Sequence, residues 1–486
     1  MVKNPKRMPV KMVGGNTFGK YKKISAASTF NLFSSDGWMI STYGYKQGSQ
    51  LSKTRTGRGQ ILVKPPFDII VSVVGSNVYK TNKYLQTFKV GSLETDANDV
   101  SMAENLLNQV AICDGEGLYI YNYESGDFFK VSLPDGVIPN YVCYHDSRFI
   151  ISNSGTAEWY LSSSEDGSNF FWGNSGNPVF SEMETKADSI MAVTPIPGHS
   201  NMILVMGNIV AEPWIDTGAN LFPYQKMTAS NVDYGLVSSS SLAVNDKYVI
   251  WLGKNQNSKP VIMMTTGGDS QPISNDGINS KLELLSHPEL SSGFFIQQRG
   301  HLLYQLTFYH PDDNLTLAYD LETKQFIYMT DENMNYHIAK DAVLYNNTYY
   351  FLSFNDGYLY SSSPDMTYYD YGTLKQNIPR VRIPPNIRNN NGSFFELGQI
   401  SIPFQMGTDP FDVMPENYYP HIQFSMSKDG GVTYGKATRY PLNEYAYRRN
   451  RGFQRYGLGQ ANDFTFQFRI YTFGDVAFTD GEVIAE

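Results

Sequence analysis

The sequence predicts an all-β protein: a degenerate β-propeller of about six blades, plus a β-sandwich-like platform built from the N- and C-terminal regions. Three observations carry this. From about Asp68 to Asp370, short stretches rich in β-branched and aromatic residues recur between Gly, Asn, Asp and Ser turns, as in 68–80, 108–123, 201–214, 246–253 and 347–360. Strands of that length joined by tight turns make small antiparallel sheets, and their repetition makes a propeller or a large sandwich. Hairpin clusters spaced by roughly 45–55 residues suit blades, because all the strands of an immunoglobulin sandwich fit within about 100 residues. Second, the 35 Tyr and 29 Phe favour pleated, half-buried surfaces. Helical periodicity is scarce, and its best candidate, 101–110, reads equally as a turn leading into a strand. Third, FTFQFRIYTF (464–473) alternates with period two, which gives that C-terminal strand one buried and one exposed face.

Composition divides the chain into three regions. Residues 1–64 are basic and rich in Gly, Ser and Thr, with an aromatic patch at 34–45, and are expected to join the platform. Residues 65–372 carry the repeated strands of the propeller. Residues 373–486 open on the Pro- and Asn-rich stretch 376–393 and resume strands at 394–407, 419–442 and 463–474, as a separate β-sandwich-like domain. Charge follows the same division. Residues 1–64 hold twelve Lys or Arg against Asp36 alone, a net of +11, so the other 422 residues carry −20 to give the chain its −9. A second basic cluster, Arg439, Arg448, Arg449, Arg451 and Arg455, alternates with Tyr445, Tyr447, Phe453 and Tyr456. Arginine beside aromatic rings is a composition favoured at protein interfaces. Together with Arg380 and Arg382, these arginines are the expected interface residues.

Hydrophobic content of 41% with 17% charge is enough for packed cores. Cys113 and Cys143 belong to no CxxC pair and read as small buried residues, with no zinc site or disulfide framework indicated. The basic N-terminus lacks the apolar run of a secretory signal, and no segment reaches the roughly 20 apolar residues of a membrane helix. A chain without a membrane segment is expected.

Ser427, Asp429, Gly431, Thr433 and Tyr434 match the Asp-box pattern, in which a carboxylate holds turn amides and glycine supplies positive φ. The stretch 162–172 is a looser version. Asp-boxes are frequent in sialidases, which opens a second reading: a propeller that binds or cleaves glycosides. A sialidase site needs an arginine triad, yet Arg148 and Arg299 are the only arginines between residues 59 and 379. Histidines 145, 199, 287, 301, 310, 337 and 421 show no zinc-ligand spacing. Asp312, Asp313, Asp331 and Glu332 could pair around calcium or as a glycosidase couple, but turn formation explains them, as it does DGEG (114–117). No catalytic residue, metal ligand or cofactor is expected; a third reading is a soluble propeller adaptor.

Several stretches, in order, resemble the packaged-DNA stabilisation proteins (tail accessory factors, or tail hubs) of P22-like short-tailed bacteriophages. They are Ser34 to Met39; Val100 to Ala103 ahead of DGEGLYIYNY (114–123); Met206-Gly207-Asn208 through Glu212-Pro213-Trp214 to Thr217-Gly218; Tyr234-Gly235 with 241–253, Gly267-Gly268 and Pro272-Ile273-Ser274; and 425–442 with the arginines behind it. The resemblance implies a non-enzymatic virion tail component, assembled in the host cytoplasm. It implies a homohexameric ring below the portal and adaptor that extends the DNA channel, retains packaged double-stranded DNA without reading its sequence, and offers attachment to needle, spike or fibre proteins.

Overall fold

The computed structural model describes residues 6–17, 27–220, 222–228, 231–257, 259–389, 391–406, 418–442 and 452–485. Within them the regular structure is nearly all strand, with one seven-residue α-helix, Asp276–Leu282. Its N-cap is Asn275, whose Oδ1 accepts the Ile278 N–H at 3.0 Å. The stretch 101–110 is a hairpin, Ser101–Glu104 turning into Gln109–Cys113.

Seven sheets surround the propeller axis, rather than about six. Blades 1 to 6 are the meanders at 57–92, 101–130, 139–182, 190–226, 235–272 and 291–328. Blade 7 is assembled from both ends of the propeller: Val343–Tyr345, Thr348–Leu352 and Gly357–Ser362 are completed on the outside by Tyr45–Ser52. The strand Gly57–Val63 then begins blade 1. The basic region 1–64 therefore divides, with its described residues before about 42 going to the platform and 45–63 to the blades. The reason it reads as one region is local: YKQGSQLS buries only Tyr45 and Leu51 and shows no apolar face in sequence.

Period-two alternation explains how a blade core works. In Gln109–Cys113, Val110 and Ile112 pack into the seam with blade 1, while Ala111 and Cys113 pack into the seam with blade 3. Each central strand is thus apolar on both faces because each face meets a different neighbour. Seven apolar clusters fill the seven seams in turn, and the last, Leu51, Val74, Leu352 and Leu359, joins blade 7 to blade 1 and closes the ring. Both cysteines are buried free thiols in these seams, and burial pushes Cys113 up to about 12.

The platform is a sandwich. Lys6–Val10, Gly481–Ala485, Phe395–Ile402 and Phe453–Ala461 form one sheet. Arg380–Ile383, Asp463–Tyr471, His421–Ser427 and Thr438–Pro441 form the facing layer. Phe464, Phe466, Phe468 and Ile470 point from the second layer into a core shared with Val10, Leu397, Ile400 and Val483. N- and C-terminal residues thus share one core. The facing layer does not stop at the platform. Ser28–Phe30 pairs antiparallel with Arg380–Ile383 and, through Phe30 and Tyr328, parallel with the outer strand of blade 6. Blade 6 and platform are one ten-stranded sheet. Asn31 locks the joint: its side chain donates to Thr330 Oγ1 at 2.8 Å and to the Pro379 carbonyl at 3.0 Å, and accepts the Thr330 N–H at 2.9 Å.

Candidate functional site

Arg380 and Arg382, expected at an intermolecular face, are 0% and 1% exposed. They lie two apart on one strand, so both side chains leave the same face. Arg380 donates to Ser41 Oγ and to the carbonyls of Thr472 (2.7 Å) and Thr367 (2.8 Å). Arg382 donates to Met12 O at 2.6 Å, Thr29 Oγ1 at 2.7 Å, Gly15 O at 3.3 Å and Lys11 O at 3.4 Å. Burial lowers the Arg382 guanidinium to about 10, with Asp480 opposing, so it stays charged at neutral pH. A planar fork of five donors suits bent, non-regular chain whose carbonyls would otherwise be buried unmet. The two arginines are staples within the chain, fastening N-terminal residues to the C-terminal strand.

Arg439 is exposed and Arg455 half-buried. Both lie on edge strands, Thr438–Pro441 and Phe453–Ala461, one from each layer. Tyr440 and Phe453 meet edge to face at 5.0 Å, which brings these edges together across the sandwich. Tyr456 is exposed on the same edge strand as Arg455. Arg448, Arg449 and Arg451, with Tyr445 and Tyr447, lie outside the described residues.

The Asp-box is a turn device. Asp429 accepts the backbone N–H of Val432 (3.0 Å) and Thr433 (2.9 Å) and the hydroxyls of Ser427 and Thr433 (both 2.6 Å). These donors hold its carboxyl well below the usual range. Gly431 has φ of 87°, which the tight turn requires. In the looser copy, Asp166 accepts the Ser168 N–H at 2.9 Å and hydroxyl at 2.7 Å. The other turn carboxylates behave alike. Asp114 accepts the Gly117 N–H (2.8 Å), Asp331 that of Asn335 (2.8 Å), and Asp313 those of Ser286 (2.6 Å) and His287 (2.8 Å). Glu332 takes the Tyr371 hydroxyl at 2.5 Å. His301 and Asp320 form a buried pair at 2.9 Å, with Thr323 donating to the same carboxylate oxygen at 2.7 Å.

The propeller axis carries a cavity of about 460 Å³ whose wall draws on the start of every blade, including Arg58, Ser101, Tyr141, Met191, Ser238 and Lys340. Four of its charged groups, Arg58, Asp99, Lys340 and Asp341, hold the ring. Arg58 donates to the carbonyls of Asn98 (2.6 Å), Gly75 (3.0 Å) and Thr95 (3.0 Å). Lys340 of blade 7 pairs with Asp99 at the entry to blade 2, and Asp341 accepts the Gln60 N–H of blade 1 at 2.8 Å. Sequence reasoning missed this set because its members are nearly 300 residues apart.

A closed ring of small antiparallel sheets around one axis defines the chain as a β-propeller protein. The sequence profile of the phage stabilisation family, described as Bacteriophage P22 Gp10, beta-propeller, matches residues 26–360, and the chain belongs to that family. No curated protein matches the chain. Among solved structures, virginiamycin B lyase from Staphylococcus aureus is similar at 8% identity and a TM-score of 0.45, over 66% of this chain and 99% of its own. The WD40 propeller domain of Doa1 is similar at 13% identity and 0.41, over 66% and 98%. Likenesses of that grade carry no functional argument. Membership makes the chain a bacteriophage structural protein, and among the described residues no helix is long and apolar enough to cross a membrane.

Proposed function

We propose that the chain is the hub of a short-tailed phage virion tail: a ring, six copies around, that sits below portal and adaptor, extends the DNA channel and helps retain the packaged genome. The observation that carries this reading is the family match over residues 26–360, which spans the propeller. Geometry supports it in three ways. A cavity of about 460 Å³ is the size of a small-molecule pocket, so a duplex has to pass between copies rather than through a propeller. A heterologous contact that closes by rotation supplies such a lumen. The −20 balance outside residues 1–64 keeps its wall from gripping phosphates.

Docking to the adaptor or to the next copy is assigned to the platform edge that carries Arg439, Arg455 and Tyr456, and by sequence alone to Arg448, Arg449 and Arg451. Arg380 and Arg382 are withdrawn from that surface because their donors are used inside the chain. Needle, spike or fibre proteins are the expected partners away from the adaptor.

The test is mass photometry of the purified chain with and without adaptor rings, alongside phage particles made without it. Six-copy rings on the adaptor, and particles that package DNA and then lose it, are the expected results. Arg439→Ala/Arg455→Ala should weaken ring formation without unfolding the chain. A chain that stays monomeric on adaptor rings, with DNA-full particles in its absence, overturns the reading.

A further inference from the structure

The seven histidines looked scattered, but the fold brings two of them together. His287 lies in the loop entering the inner strand of blade 6, and His310 in the turn leaving the next strand, Ser291–Gln298 and His301–Phe308 lying between them. Their rings stand 4.0 Å apart, centroid to centroid. With Asp312 they place three ligand atoms, one from each residue, within 4.8 Å of one another. We propose that His287, His310 and Asp312 form a binding site for a divalent transition-metal ion of the zinc class.

Two features support a site built for an ion. The spacing fits: His310 Nδ1 and Asp312 Oδ2 are 3.7 Å apart, close to the tetrahedral edge of about 3.4 Å expected for zinc with N and O ligands. The Asp312 N–H donates to His310 Nδ1 at 3.3 Å, a long hydrogen bond that an ion on that nitrogen would replace. The second shell is present as well. Glu289 holds His287 Nδ1 at 3.0 Å, the carboxylate–histidine arrangement that orients an imidazole and leaves its other nitrogen for the metal.

The loops are also fixed before any ion arrives. Asp313 accepts the N–H groups of Ser286 and His287, and the His310 carbonyl accepts those of Asp313 and Asn314, both at 3.0 Å. His310 is half-buried and His287 and Asp312 reach solvent, so an ion has both access and open coordination positions. Two imidazoles select zinc, cobalt or nickel over magnesium and calcium. Glu289 also lines the axial cavity, so the ion would sit at the rim of the propeller mouth and tie the two blade-6 loops together there.

The experiment uses the full chain without a histidine tag, stripped with chelator, and titrates it with Zn2+ and, for its ligand-field spectrum, Co2+. One ion per chain and low-symmetry cobalt bands of a four- or five-coordinate site are expected, unaffected by excess Mg2+. His287→Ala and His310→Ala should each abolish saturable binding, Glu289→Gln should weaken it about 10–100-fold, and His199→Ala should leave it unchanged. Far-UV circular dichroism of the metal-free variants checks folding; where an alanine variant misfolds, His310→Gln replaces it. No saturable binding by the parent chain, or parent-like affinity in the folded His287 and His310 variants, overturns the proposal.

Discussion

The seam between blades 3 and 4 and the seam between blades 7 and 1 do the same job with different materials. The first joins neighbours in sequence through thirteen buried side chains, with Trp159 touching Trp214, Phe222 and Tyr224 at centroid distances of 5.3–5.5 Å. The second joins the far ends of the propeller through four buried aliphatic residues. Half-buried Tyr79 and Tyr350 pack against these, and hydrogen bonds add to them: Asp341 to the Gln60 N–H, and Gln60 Nε2 to the Tyr350 carbonyl at 2.7 Å. Apolar area supplies strength without direction, whereas hydrogen bonds add little net stability but permit one register. The ring is strong where the chain is continuous and specific where its two ends have to find each other.

The comparison can be broken at its strong side first. Trp159→Ala removes the centre of the aromatic cluster and should cost about 3–5 kcal/mol in urea unfolding monitored by far-UV circular dichroism. A loss under 1 kcal/mol would mean that the seam collapses without penalty. Next comes the stapled joint of the platform. Arg382→Ala leaves the carbonyls of Met12, Lys11 and Gly15 without their donor and should cost about 2–4 kcal/mol, with early loss of protection in residues 6–17 by hydrogen exchange. Equal loss across the whole propeller would argue against a local staple. At the weak seam, Leu352→Ala should cost about 2–3 kcal/mol, and exchange should quicken first in Tyr45–Ser52 and Gly57–Val63.

The smallest effect is on pH dependence. Burial pushes the Asp341 carboxyl up to about 7 and the His337 imidazole, in the same inner segment of blade 7, down to about 4. Lys340 and the Gln60 N–H oppose the first shift without cancelling it. Asp341 holds a proton that the unfolded chain releases, so its contribution is present at low pH and lost as pH rises from about 4 to 7. His337 refuses a proton that the unfolded chain takes up, so stability is lost as pH falls from about 6.5 towards 4. The two oppose one another, and the parent should show a shallow profile over that range. Asp341→Asn keeps the acceptor for Gln60 and unmasks the histidine. It should gain on the order of 1 kcal/mol at pH 8 and lose stability steadily below pH 6.5. An unchanged profile would place Asp341 in contact with water.

Much of this was legible in the sequence, for stated reasons. The strand rhythm reads because each blade needs four short strands and tight turns, and the Asp-box reads as a turn because its residues act only on their own backbone. The blade count did not, because the strand completing blade 7 is polar and lies three hundred residues from its partner. Nor did the fate of Arg380 and Arg382: charge predicts a surface, and only the fold supplies the carbonyls that pay for burial. His287 and His310 are 23 residues apart in sequence, and a hairpin brings their rings together.

The ten-stranded sheet that runs from blade 6 through Ser28–Phe30 into the platform has a mechanical consequence. A tug on the platform is not absorbed by a flexible linker; it travels along a ladder of hydrogen bonds into one blade of seven. The narrowest rung is the single parallel pairing of Phe30 with Tyr328, braced by Asn31. Under load this joint behaves as the gauge length of the molecule: its stiffness sets how far the platform can swing, and its rupture force sets what the propeller can hold.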